Sequence, residues 1–280
     1  AQLTAADIDA GSSDNCNLGT VTLACNVGDY DCDSVGVNQV TLIVTDVNGN
    51  SDSCTANVTV LDTIPPVALC NDITVTLDAN GQAQITAADI DAGSSDNCNL
   101  GSVTLANNAG DFDCDSVGVQ QVTLIVTDIN GNADSCTANV LVQDTVPPVA
   151  VCTNITVSLD ANGQAQVTAA DIDAGSTDNC NLGSVTLSNN GGDFDCDSVG
   201  VREVTLVVTD VFGNADSCTA QVTVEDTIAP VALCNDITVT LDANGQAQIT
   251  AADIDAGSSD NCNLGTVTLA GNVGDYDCDS

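Results

Sequence analysis

Short runs of alternating apolar residues, turn signals between them and a phrase returning at a fixed interval predict an all-β chain of tandem β-sandwich domains. The phrase is "AADIDAGSSDNCNLG". It begins at Ala5 and Ala87, returns with one Ser-to-Thr change at Ala169, and is unchanged at Ala251. Each start follows the last by 82 residues, so the register never slips. Such a period exceeds the roughly 20–50 residues of solenoid repeats and suits a small domain that folds around its own core.

The elements follow in order in residues 63–144. "ITVTL" (Ile73 to Leu77) alternates and runs into "DANG" (Asp78 to Gly81), a turn of the kind that joins strands, and "QAQITA" follows. Then come "SVTLA" (Ser102 to Ala106), "DFDC" (Asp111 to Cys114), "QVTLIVTD" (Gln121 to Asp128), the turn "INGN" and "SCTANVLVQ" (Ser135 to Gln143). In the last run Cys136, Ala138, Val140 and Val142 share one face, which is period two rather than 3.6. About seven short strands in such a length predict an immunoglobulin-like sandwich. Proline-bearing "LDTIPP", "QDTVPP" and "EDTIAP" mark the boundaries. Residues 63–144 and 145–226 are therefore read as complete repeats, 1–62 as a repeat lacking its N-terminal part and 227–280 as one lacking its C-terminal part. The expected arrangement is beads on a string, stiffly joined, cut from a longer array.

Composition narrows the chemistry. Forty acidic residues against the single Arg202 give a formal charge of −39, and only Glu203 and Glu225 are glutamate. Nucleic acid and anionic membrane are excluded as partners, because both need a cationic surface. Without histidine there is no imidazole base for a nucleophile, and without lysine no Schiff base. Paired aspartates could serve glycoside hydrolysis, but the chain has no tryptophan to floor a sugar cleft.

With few aromatic residues, each core rests on Val, Ile, Leu and Ala and should need covalent staples. Fourteen of the fifteen cysteines fall into four classes at the repeat period, and Cys25 stands alone. The expected pairing is within repeats: Cys70–Cys136 and Cys152–Cys218, because first and last strands of a sandwich run parallel, and Cys16–Cys32, Cys98–Cys114, Cys180–Cys196 and Cys262–Cys278. Cys25 is left free or bound to a neighbouring chain. A Cys54–Cys70 bridge would span an extended linker far longer than the roughly 5.5 Å between bridged Cα atoms. The absence of any C-x-x-C pair argues against zinc. Paired cysteines place the chain in an oxidising, extracellular setting.

The order "DTVPP…C…LDANG…DNC…FDC…DINGN..SC" resembles the hyalin-repeat (HYR-like) immunoglobulin-type modules of giant Bacteroidetes surface proteins, including gliding-motility adhesins. Its most specific elements are "D-T-x-P-P", "D-N-C" at Asp96 to Cys98, and "D-x-x-G-N" ending at Asn132. The resemblance implies a secreted, cell-surface, adhesive or filamentous role. It also makes "DTI" and "DTV" at Thr63, Thr145 and Thr227, and "DSV" at Ser34, Ser116 and Ser198, candidates for the Asp-Ser/Thr-aliphatic O-glycosylation signal of such proteins.

The acidic phrases suggest a ligand as well. Extended, Asp89 and Asp91 would face one way with Asp96 beyond a Gly-Ser turn, and Asp111, Asp113 and Asp115 would line one face of "DFDCDS". A Cys98–Cys114 bridge would draw the two groups together as a calcium site, with Asp62 and Asp144 stiffening the junctions. A solvated acidic face is the alternative. The leading functional expectation is a non-catalytic stalk or filament segment of a repetitive bacterial surface adhesin, its partners being further copies of the repeat, with neighbouring filaments or surface glycans as further candidates. The alternative is a calcium-dependent array of binding modules recognising glycan or a surface.

Overall fold

The computed structural model describes residues 1–24, 28–188, 191–270 and 275–276. They divide into two compact units, 1–77 with 82–143, and 78–81 with 144–280. The chain is all-β: β1 (Leu18–Leu23), β2 (Gly36–Asp46) and β3 (Ser51–Val60) form one three-stranded sheet. β4 (Ile73–Thr76), β5 (Ala83–Gln84), β6 (Leu100–Leu105), β7 (Asp111–Phe112), β8 (Gly118–Asp128) and β9 (Ala133–Gln143) build a sandwich of a four-stranded sheet, β4-β9-β8-β6, and a two-stranded sheet, β5-β7.

The second unit repeats that sandwich with β10 (Ile155–Ser158), β11 (Gln164–Gln166), β12 (Leu182–Leu187), β13 (Asp193–Asp195), β14 (Gly200–Asp210) and β15 (Ala215–Glu225). Its sheets are β10-β15-β14-β12 and β11-β13. β16 (Ala247–Gln248) and β17 (Asp275–Tyr276) pair at the end of the chain. Tandem immunoglobulin-like sandwiches are what the alternation predicted.

Alternation sets the core. In β8, Val122, Leu124 and Val126 are buried, and across the hairpin Ala138 of β9, paired with Val122, is buried along with Val140 and Val142. In the second unit one buried cluster joins Leu206 and Val208 of β14, Val222 of β15 and Phe194 of β13, so both sheets close on one apolar layer. The hairpin turn after β8 needs Gly131 at φ +93°. Gly101 lies where a β-carbon would stand 2.6 Å from the Asp128 carbonyl oxygen, beside the bulge in the β6–β8 pairing.

First and last strands run parallel, as expected: Ile73 of β4 pairs with Val140 of β9, and Cys70 bridges Cys136 with Cα atoms 5.8 Å apart. Cys152–Cys218 is its equivalent in the second unit.

Two acidic stretches depart from the extended reading. "AADI" is a single helical turn, Ala87–Ile90, because the Asp89 carboxylate accepts the N–H (2.7 Å) and hydroxyl (2.7 Å) of Thr86, which ends the β5 run early. Asp91 then accepts the Ser94 N–H (3.0 Å) and hydroxyl (2.6 Å). "CDS" is a 3₁₀ turn, Cys114–Ser116, capped by Asp113, which accepts the Asp115 N–H and the Ser116 hydroxyl. Period two stops at Phe112, so Asp111, Asp113 and Asp115 do not line one face, and Asp111 instead accepts from the Gln84 amide (2.6 Å).

Removing the Leu124 side chain by Leu124→Ala should cost about 2–5 kcal/mol, read as a lower denaturant midpoint. A second outcome concerns acid. Hydrogen bonds from the Thr86 N–H and hydroxyl hold Asp89, and those from the Ser94 hydroxyl and N–H hold Asp91, below the ordinary carboxyl value of 3.8. Their stabilisation is present above that unfolded value and disappears as pH falls through the lower folded values. Asp89→Asn should therefore flatten the acid limb of a circular-dichroism pH titration, and an unchanged limb would contradict the assignment.

Candidate functional site at the repeat junction

The sequence brings three short motifs to one end of the sandwich. The linker "DTIPP" supplies Asp62, the "DNC" turn before β6 supplies Asp96, and the C-terminal residue of β8 supplies Asp128. One carboxylate oxygen from each lies within 4.8 Å of the other two. The second unit builds the same trio from Asp144, Asp178 and Asp210.

Each aspartate is fixed by the turn it starts. Asp128 accepts the N–H groups of Asn130 and Asn132 (2.8 Å each) and the Asn132 amide (2.7 Å), and that amide also reaches the Asp62 carbonyl (3.1 Å). Asp210 does the same with Phe212, Gly213 and Asn214. Burial pushes the Asp210 carboxyl up, but the Asn214 amide and the three N–H groups outweigh it and hold it below 3.8. Asp96 accepts the Cys98 N–H (2.8 Å) and Asp178 the Cys180 N–H (2.9 Å), the short Asx turns of "D-N-C".

The half-cystine in that turn is a second functional feature. Cys98 is bridged to Cys32 of the preceding segment, with Cα atoms 5.2 Å apart, and Cys262 to Cys196 with 5.3 Å. The expected Cys16–Cys32, Cys98–Cys114, Cys180–Cys196 and Cys262–Cys278 pairs are therefore corrected. The reason is geometric: Leu100 pairs with Asp128 at the end of β8, whereas Cys114 lies four residues before its start at Gly118. Eleven extended residues separate those ends by about 35 Å, and no disulfide crosses that.

Cys114 and Cys180 are disulfide-bonded too. Cys16, Cys54 and Cys234 are free and exposed, and the bridges Cys32–Cys98, Cys70–Cys136, Cys152–Cys218 and Cys196–Cys262 each join residues 66 apart. Cys25 and Cys278 lie outside the described residues.

The junction in the second unit shows how closely the partners fit. The Asn261 amide donates both to Asp226 of the linker (3.1 Å) and to the Asp160 carbonyl of the preceding repeat (3.2 Å). A β-carbon on Gly163, in the turn after Asp160, would stand 2.8 Å from the Asn261 carbonyl oxygen of the following repeat.

Of the residues singled out from sequence for calcium, Asp62, Asp96 and Asp144 lie in the trios. Asp89, Asp91, Asp111 and Asp113 are engaged in the local turns described above, and Asp115 lies exposed in the 3₁₀ turn. Asp128 and Asp210, which complete the trios, are not among the residues singled out from sequence; the signal is the "D-x-x-G-N" motif itself, whose first residue closes a strand at the linker. Among the candidate modification sites, Thr63, Thr145 and Thr227 are exposed, whereas the hydroxyls of Ser34, Ser116 and Ser198 donate to Asp31, Asp113 and Asp195.

Comparison with known proteins bears on this motif order. Hyalin of Strongylocentrotus purpuratus is 38% identical over 218 residues, 71% of this chain and 17% of that protein. Hyalin of Lytechinus variegatus is 32% identical over 210 residues, 71% of this chain and 39% of that protein. A hyalin-repeat relationship is supported. The chain spans less than two fifths of the length of these hyalins. No family model matches the chain. Among solved structures, a three-domain titin fragment aligns with TM-score 0.38 at 13% identity, covering 78% of this chain and 84% of that one.

Non-reducing peptide mapping should recover Cys32 linked to Cys98 and Cys196 linked to Cys262. With Cys32→Ser, Cys98 should become alkylatable while Cys70–Cys136 survives; recovery of a Cys98–Cys114 peptide would contradict the cross-repeat arrangement.

Proposed function

We propose that the chain is a load-bearing, non-catalytic segment of an extracellular, adhesion-type repeat protein, in which each hyalin-type repeat is covalently locked to the next. The observation that carries this reading is the pair of bridges that leave one repeat and end in its neighbour, Cys32–Cys98 and Cys196–Cys262. A bridge inside one repeat staples only that core. A bridge between repeats makes the junction itself resist separation.

Three further observations support it. The disulfides fit an oxidising compartment outside the cell. The relationship to hyalin repeats points the same way, and near-identical units with one sign of charge suit a repetitive surface adhesin whose neighbouring chains repel laterally.

Tension distinguishes this role from that of independent beads. Between Cys32 and Cys98 the shortest covalent path is one disulfide rather than 66 residues of chain. Pulled from its ends by a single-molecule instrument in a Cys70→Ser/Cys136→Ser background, which removes the overlapping bridge, the oxidised chain should withhold about 230 Å of contour length at Cys32–Cys98, at roughly 3.5 Å per extended residue. Adding Cys32→Ser should release it. Equal extension with and without Cys32→Ser would remove the load-bearing reading. In chemical denaturation, opening a loop of this size should cost about 4 kcal/mol of stability.

A further inference from the structure

We propose that each carboxylate trio holds one calcium ion, which ties the linker (Asp62 or Asp144) to the "DNC" turn (Asp96 or Asp178) and to the end of the long strand (Asp128 or Asp210). Oxygens bound to one calcium at about 2.3–2.6 Å stand no more than roughly 5 Å apart. The trio oxygens meet that limit at 4.8 Å.

The second observation is unused hydrogen-bonding capacity. Asp144 is only 7% exposed, and its Oδ2 has no partner. Its Oδ1 accepts from the Val146 N–H and the Asn179 amide. Asp178 has Oδ2 on the Cys180 N–H while its Oδ1 is buried without a partner, and Asp96 shows the same split. A carboxylate oxygen buried without a donor is costly, and carboxylates gathered with no cation repel one another. One hard cation removes both costs. Calcium fits better than zinc, because all the donors are oxygens, and better than magnesium, because turns and a linker supply them without a rigid octahedron.

The two trios differ at one position, and the difference makes the proposal sharper. In the first unit the Asn130 amide donates to Asp62 Oδ2 at 3.1 Å. At the equivalent place in the second unit stands Phe212, so Asp144 Oδ2 lacks that donor. The Asp144 trio should bind calcium more tightly than the Asp62 trio.

The test is calcium titration of the full oxidised chain after chelator treatment, followed by heat of binding and by melting temperature. Two ions of unequal affinity per chain and a melt raised by calcium are expected from these two trios. Asp178→Asn should abolish one ion, since its side chain can keep the acceptor for the Cys180 N–H while losing the charged ligand.

Phe212→Asn rebuilds the turn already present at Asn130, so it should fold, and it should weaken the tighter site by about tenfold. Asp115→Asn, in a turn outside the trios, should leave both ions bound. The proposal is overturned by an absence of binding at millimolar calcium, by magnesium binding equally well, by stoichiometry unmoved in Asp178→Asn, or by loss of an ion in Asp115→Asn. The disulfide map is read without calcium, so failure here is distinguishable from failure of the covalent lock.

Discussion

The length of the two central strands governs how the repeats are joined. β8 and β14 each run for eleven residues, about 35 Å of extended chain. The "DNC" cysteine stands beside the far end of such a strand and the "FDC" cysteine just before its start. Neither can reach the other. Within the first unit Cys98 meets Cys32 of the preceding repeat, and within the second Cys196 meets Cys262 of the following one, so a local sheet dimension becomes a covalent link between repeats. The junction is correspondingly tight where Gly163 faces the Asn261 carbonyl of the following repeat beside the Cys196–Cys262 bridge.

That link complements a thin core. With aliphatic side chains and one buried phenylalanine in each complete sandwich, Phe112 or Phe194, apolar burial alone gives a domain of this size little margin. Cys70–Cys136 ties the first strand to the last, and Cys32–Cys98 spans an overlapping stretch of chain. In the second unit Cys152–Cys218 and Cys196–Cys262 overlap likewise. Unfolding one sandwich therefore leaves its chain ends tethered through its neighbour, which limits the entropy that the unfolded state can gain.

The sandwich was legible in the sequence because period-two alternation in "QVTLIVTD" and "SCTANVLVQ" has one physical meaning when a face must be buried, and the parallel first and last strands gave the height of Cys70 against Cys136. The other pairing was not legible. Choosing Cys98–Cys114 assumed that sixteen residues of intervening chain fold back, whereas β6 runs lengthwise between them. The same extension argument that excludes Cys54–Cys70 excludes this pair as well, once Cys98 is placed at the Asp128 end. The calcium candidates split for a similar reason. Alternation predicts shared faces only while the backbone stays extended, and Thr86 and Asp113 each start a helical turn inside an acidic phrase.

Those turns also explain why the acid is aspartate. The carboxylate of Asp sits close enough to its own backbone to accept N–H groups two to four residues ahead, and the extra methylene of Glu spoils that geometry. Such turns recur along the chain: Asp9, Asp91, Asp173 and Asp255 hold a serine, while Asp7, Asp89, Asp171 and Asp253 instead close a capping box on the threonine three residues before them. Asp78, Asp160 and Asp242 hold the "DANG" turn, and Asp46, Asp128 and Asp210 hold the hairpin turn. Much of the charge is thus a by-product of turn chemistry repeated at every unit. The linker and "DNC" aspartates stand apart, because Asp96, Asp144 and Asp178 each keep a buried oxygen that no turn satisfies. A chain that solves nearly every other loop with an internal donor leaves its unsolved oxygens at the junction, where one repeat must be held to the next.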